Sequence, residues 1–185
     1  MVSARTATLA GVAVLLAGCG SSPRSAAPGP AQTARALRGS PPVLAALHRQ
    51  AGDLLTASTN GFKSRLRSLR GHPVVVNKWA SWCGPCRSEF PFFQRLGVSL
   101  GNRVAFLGVD GNDNDGDARR FLRRYPVPYP SYGDPEGLIA RVIEANLAFP
   151  TTVFYDAGGR LTFVHQGAYP NHAKLREDIR RYAGI

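Results

Sequence analysis

Two cysteines stand two residues apart in WASWCGPCRSEFP, residues 79–91. Such a pair can cycle between dithiol and disulfide, or it can supply two of the four ligands a zinc ion needs. Redox work requires one sulfur held as a reactive thiolate and a second close enough to displace its partner. The preceding run, PVVVNKW, is β-branched and reads as a buried strand. Arg87–Leu96 reads as a helix, with Pro91 the place where it can kink. Cys83 then lies where a strand enters a helix, among unpaired N–H groups at the positive end of the macrodipole. That setting lowers a thiol from ~8.5 toward ~7 or below. Cys83 is therefore the expected exposed nucleophile. Cys86, a turn inside, is the shielded resolving thiol and its disulfide partner. Gly84 permits the tight turn, and Pro85 falls near the first helical turn, where its missing N–H costs little.

The competing chemistries find less support. Zinc needs four ligands, yet no second cysteine pair exists and His48, His72, His165 and His172 are scattered along the chain. No metal and no cofactor are expected. The acidic loop DGNDNDGD, residues 110–117, suggests calcium but fails on registration. With Gly116 at loop position six, Gly111 and Leu122 would occupy ligand positions. It reads as a helix cap. Peroxidase chemistry would need a different cysteine setting, and an inert binding module with a structural disulfide conflicts with a sulfur placed at a helix start.

The elements that must position these sulfurs follow from periodicity. Pro42–Ala51 places Val43, Leu44, Leu47 and Ala51 at helical spacing, and GFKSRLRSLRG does the same with Phe62, Leu66 and Leu69. After the cysteine helix come a strand in RVAFLGVD, a capped helix in NDGDARRFLRRY and an extended piece in YPSYGDPEG. Leu138–Ala145 reads as a short helix, TTVFYDAGGRLTFVHQG as a hairpin, and NHAKLREDIRRYAG as a closing amphipathic helix with an Asn cap. Alternating strands and helices that end in a hairpin predict an α/β fold with a mixed central sheet.

At 185 residues the chain suits one domain plus a tail. The net charge of +11 comes mostly from arginines spread over several expected helix surfaces. No aromatic-rich nucleic-acid motif accompanies them, so nucleic acid is not an expected partner. After one positive charge, ATLAGVAVLLAG is an apolar stretch of signal-peptide length, too short to span a bilayer. It closes in Leu16-Ala17-Gly18-Cys19, which resembles the lipobox of bacterial lipoproteins. That resemblance implies a signal peptide over 1–18 and diacylglyceryl lipidation of Cys19. Two acyl chains hold a protein stably at a membrane where one holds it marginally. Residues 20–41 are rich in Ser, Pro, Ala and Gly, so 19–41 reads as a lipidated flexible linker and 42–185 as the folded domain.

WCGPC after a β-strand resembles the thioredoxin superfamily. The wider VVVNKWASWCGPCRSEFP, with the signal sequence, is similar to its membrane-anchored TlpA- or ResA-like branch, over roughly residues 54–185. The resemblance implies a thioredoxin-like fold: a mixed central β-sheet flanked by helices, with an inserted helix–strand element between the CxxC helix and the cis-proline strand. FPTTVF matches that strand, which implies that Pro150 is cis and lies opposite the cysteines, exposing the backbone of Phe149 to an extended substrate chain. Glu89, three residues after Cys86, matches an acid that this branch carries near the site, with a proton-relay role. Trp82, Gly84, Pro85 and Phe149 are the expected substrate-binding residues. The buried acid and lysine of thioredoxin itself are replaced here by Asn77 and Phe106, and Lys78 stands where the family usually has an aromatic. The family implies a reductase of extracytoplasmic protein disulfides, such as those of apocytochrome c, and a monomer is the expected state. It would be lipid-anchored and fed by a membrane-embedded electron donor. An oxidant that introduces disulfides is the alternative.

Overall fold

The β-branched run Val74–Trp79 forms β2, and every residue in it is buried. A strand covered on both faces reads as continuous apolar sequence rather than as an alternation, which is why PVVVNKW carries no period of two. The computed structural model describes Met1 and residues 27–185. Its elements are α1 (Pro30–Ala36), α2 (Pro42–His48), β1 (Leu54–Thr56), α3 (Thr59–Ser68), β2, α4 (Gly84–Leu100), β3 (Ala105–Gly111), α5 (Asp115–Arg124), β4 (Ser131–Asp134), α6 (Leu138–Val142), β5 (Thr151–Tyr155), β6 (Leu161–Gln166) and α7 (His172–Ala183). The sheet order is β1-β4-β3-β2-β5-β6. The β1–β4, β4–β3 and β3–β2 pairs are parallel, and the β2–β5 and β5–β6 pairs antiparallel. The fold is thus the expected mixed sheet flanked by helices, with α5 and β4 as the inserted pair.

Alternation along β2 divides the core. Val75 and Trp79 join Phe90, Phe93, Phe121 and Ile179 on the face covered by α4, α5 and α7. Val74 and Val76 join Leu44, Leu47, Phe62 and Ile139 on the face covered by α2, α3 and α6. Trp79 stacks on Phe121 at 4.8 Å and donates its indole N–H to Ser131 Oγ at 3.2 Å. Gly108 on β3 sits against this pair. A methyl at Gly108 would come within 2.9 Å of both Ser131 Cβ and Trp79 Nε1. Gly108→Ala is therefore expected to destabilise the fold by about 2–3 kcal/mol in urea unfolding. An unchanged midpoint would show that the strands spread to admit it.

Three expectations need correction. The segment 19–41, read as a flexible linker, holds α1 at Pro30–Ala36, whose Ala residues favour helix and whose Pro30 starts it. None of its residues is buried, so there was no apolar stripe to find. The three-residue β1 is too short to show a period, although it pairs with β4 along its whole length. Finally, α4 begins at Gly84 and runs through Pro91 to Leu100 as one helix, longer than the stretch expected. Cys19 and the apolar stretch before it lie outside the described residues.

Candidate active site

β2 ends at Trp79, and four residues later Cys83 caps α4 with extended backbone. Its Sγ accepts the backbone N–H of Cys86 at 3.1 Å. A sulfur in that position is bonded by a free amide of the first turn and faces the positive end of a 17-residue helix, and both effects favour the thiolate. Cys83 and Cys86 are joined as a disulfide. In this oxidised form Cys83 is only 3% exposed and Cys86 fully buried, which corrects the expectation of an exposed Cys83. The Cys83 Sγ lies against the helix start. The outer surface is left to Trp82, Gly84 and Pro85, all exposed.

The Phe149–Pro150 peptide bond is cis. Because β5 runs antiparallel to β2, with Lys78 opposite Thr151, the residues just before Thr151 come to the end of β2 that leads into Cys83. The Phe149 ring meets the Trp82 ring at 5.0 Å. Trp82 is held from its other side by an indole N–H bond to the Asn112 carbonyl at 3.0 Å. Sheet topology thus brings together two segments more than sixty positions apart in sequence.

Glu89 is completely buried. It follows Cys86 by three positions, on the same side of α4. Its Oε2 accepts the Tyr169 N–H at 3.0 Å, whereas Oε1 has no partner among the described residues. Desolvation pushes the Glu89 carboxyl up to about 8, with the Tyr169 bond pulling weakly the other way. At neutral pH this side chain holds its proton. The Tyr169 hydroxyl in turn donates to Asp178 at 3.1 Å, and the Tyr169 ring stacks on His165.

Sequence reasoning missed several groups here. Tyr169 touches Glu89 through its backbone N–H, which any residue carries, so no side-chain signal existed. Asp110 is buried in β3 opposite Trp79, and it is pushed up to about 8 by desolvation, reinforced by Asp113, Asp115 and Asp134. Asp113 also reaches the turn before the cysteines, where it accepts the Ser81 N–H at 2.5 Å. The acidic loop therefore braces the redox turn as well as capping α5 through Asn114 Oδ1, which accepts the Asp117 N–H at 3.0 Å. Asn77 is buried with neither amide atom partnered among the described residues, so it offers no titrating group behind the disulfide.

Lys78, unexplained by sequence, has definite partners. Its Nζ donates to the Ala148 carbonyl at 3.2 Å and lies 3.6 Å from the centre of the Phe149 ring. Burial lowers its pKa, opposed by the negative charge of Asp134.

Comparison with known proteins agrees with this geometry. The AhpC/TSA family matches residues 47–164. The chain is 30% identical over 123 residues to the thioredoxin-like protein YneN of Bacillus subtilis, covering 64% of this chain and 71% of that one. It is 32% identical over 127 residues to the thiol-disulfide oxidoreductase ResA of Halalkalibacterium halodurans, covering 67% and 70%. Among solved structures it is similar to a Chlorobium tepidum chain described as a thiol:disulfide interchange protein DsbE. That match has a TM-score of 0.59, 29% identity and coverage of 64% of this chain and 85% of that one. A secreted Mycobacterium tuberculosis disulfide oxidoreductase matches with a TM-score of 0.55 and 28% identity, covering 64% and 86%. With a redox-capable cysteine pair at a helix mouth and these relatives in common, the chain belongs to the AhpC/TSA family, among its thioredoxin-like thiol–disulfide oxidoreductases.

Proposed function

We propose that this oxidoreductase works outside the cytoplasmic membrane, tethered through a lipidated Cys19, and reduces disulfides of secreted or membrane proteins, with apocytochrome c as a candidate substrate. The observation that carries the reading is a Cys83 sulfur bonded by a helix-start amide, with a cis Phe149–Pro150 bond whose Phe149 ring packs on the adjacent Trp82. In the reduced enzyme the Cys83 thiolate attacks a substrate disulfide. One substrate thiolate leaves and takes up a proton, and a Cys83–substrate disulfide forms. Cys86 then gives its proton to Glu89 in its ionised form, a minority at neutral pH that grows as the pH nears about 8, and attacks Cys83. The second substrate sulfur leaves as a thiolate and takes up a proton from water, and the Cys83–Cys86 bond closes. Two electrons have passed to the substrate. A membrane-embedded dithiol donor reverses the exchange. As it attacks Cys83, the protonated Glu89 returns its proton to the departing Cys86.

The direction rests on the Gly-Pro dipeptide, shared with thioredoxin, whose couple lies near about −270 mV. An oxidant role has a specific argument too, because stabilising the Cys83 thiolate stabilises the reduced form and raises the potential. Redox titration against glutathione and dithiothreitol separates the two. A midpoint near about −270 mV is expected, and one above about −180 mV overturns the reductase assignment. Membrane fractionation of a Cys19→Ser variant tests the tether: full retention at the membrane would remove it.

A further inference from the structure

A lysine on a strand buried on both faces is expensive, because its ammonium gives up water unless other groups replace it. Lys78 is 2% exposed, in the middle of the sheet between Val109 and Thr151. The Asp134 charge favours the ammonium from a distance, but the groups that the ammonium touches belong to one short segment. The Ala148 carbonyl accepts both from Lys78 Nζ at 3.2 Å and from Thr151 Oγ1 at 2.8 Å. The Phe149 ring lies under the ammonium at 3.6 Å. Phe149 is thereby held between Lys78 and the Trp82 ring at 5.0 Å. Opposite, the absence of a side chain at Gly111 makes the room. A Cβ there would come within 3.1 Å of Phe149 Cζ and 3.2 Å of Lys78 Cε. The lysine, the glycine and the phenylalanine form one fitted unit, and its output is the position of the backbone just before cis-Pro150.

We propose that Lys78 is a positioning residue that presets the Ala148–Phe149–Pro150 backbone to receive an extended polypeptide strand beside Cys83. The proposal rests on the disulfide-exchange reading above and makes its substrate class more specific. A preset edge matters to a partner that must pair along its main chain, since ordering the edge on binding would weaken association. It matters little to the sulfur exchange that follows. Lys78 acts through residues 148–150 and touches no reacting atom.

The test uses insulin as the polypeptide disulfide, with dithiothreitol recycling the enzyme. Lys78→Met keeps the volume and removes the ammonium. KM for insulin is expected to rise about tenfold with kcat within a factor of two. Iodide quenching of tryptophan emission is expected to rise as well. Of the two tryptophans Trp79 is fully buried and Trp82 is 55% exposed, so quenching reports the Trp82–Phe149 contact. An unchanged KM, or a fall in kcat with KM and quenching unaltered, overturns the proposal. Should Lys78→Met fail to fold, Gly111→Ala carries the test. Its methyl displaces Phe149 while leaving the charge, and an unaltered KM with unaltered quenching overturns the proposal equally. If the wild-type protein does not reduce insulin, the exchange reading falls instead. The quenching comparison then judges Lys78 alone, with no change counting against it.

Discussion

Cys86→Ser is expected to lower disulfide-exchange turnover at least about a thousandfold while covalent complexes accumulate on Cys83. The hydroxyl of serine does not ionise near neutral pH and cannot displace a sulfur, so the first exchange proceeds and the second stops. Cys83 keeps most of its setting, because the amide of residue 86 that bonds its Sγ is backbone and survives the change. Complexes that disappear on reducing gels and carry a substrate peptide linked at Cys83 support the assignment. The paired variant Cys83→Ser should form none, since the remaining sulfur sits a turn inside α4 and lacks the helix-start amide that favours a thiolate. If Cys86→Ser turned over normally, or if complexes formed through Cys86 in the Cys83→Ser protein, the roles given to the two sulfurs would be wrong. The captured proteins also identify the physiological substrates directly.

The second large effect belongs to Glu89 and shows in both stability and rate. Burial pushes its carboxyl up from 4.5 to about 8, and Asp110 rises from 3.8 to about 8. A carboxyl raised on folding holds more protons in the native than in the unfolded chain between those values, so stability falls as pH climbs through the interval. The contribution is fully present below about pH 4 and is lost as the pH passes about 8. The protein should therefore melt at a higher temperature at pH 5.5 than at pH 8.5. Glu89→Gln keeps an oxygen for the Tyr169 N–H and cannot ionise, so it should remove roughly half of that difference. At about 1.4 kcal/mol per pH unit, the variant should gain on the order of 3 kcal/mol over wild type at pH 8.5. For a chain of this size that is about 6–12 °C in melting temperature. Its exchange rate should move the other way, falling about a hundredfold, because the proton of Cys86 loses its acceptor. Equal melting temperatures for wild type and Glu89→Gln at pH 8.5 would mean that water reaches the carboxyl. A normal exchange rate would remove Glu89 from the proton path.

The two variants probe different parts of the same step. Cys86→Ser removes the sulfur that attacks the mixed disulfide, whereas Glu89→Gln leaves both sulfurs and removes the proton exchange. A pH–rate profile separates them further. Wild type should show an inflection near about 8 that Glu89→Gln lacks. Asp110, behind the turn, remains in both proteins and accounts for the pH dependence of stability left in Glu89→Gln.

Much of this molecule could be read from neighbours in sequence. A strand feeding Cys-x-x-Cys at a helix start, the Asn caps of α5 and α7, and the hairpin around Gly158 and Gly159 all depend on contacts within a few residues. Short-range geometry of that kind is written into residue type and spacing, and so was the α/β alternation that yields a mixed sheet. Three features were decided only when the sheet assembled: Glu89 losing all its water, Lys78 finding the Ala148 carbonyl and the Phe149 ring, and Asp113 reaching the Ser81 amide. In each, a polar group depends on a partner or a covering layer far away in the chain, and the partner is often a backbone atom with no residue identity. Lysine in a β-branched run looked like a misfit because its solvation was assigned to water; the fold solvates it with the loop beside the disulfide. Burial is a property of all the elements together, and it is burial that turned an ordinary glutamate into a proton donor at neutral pH.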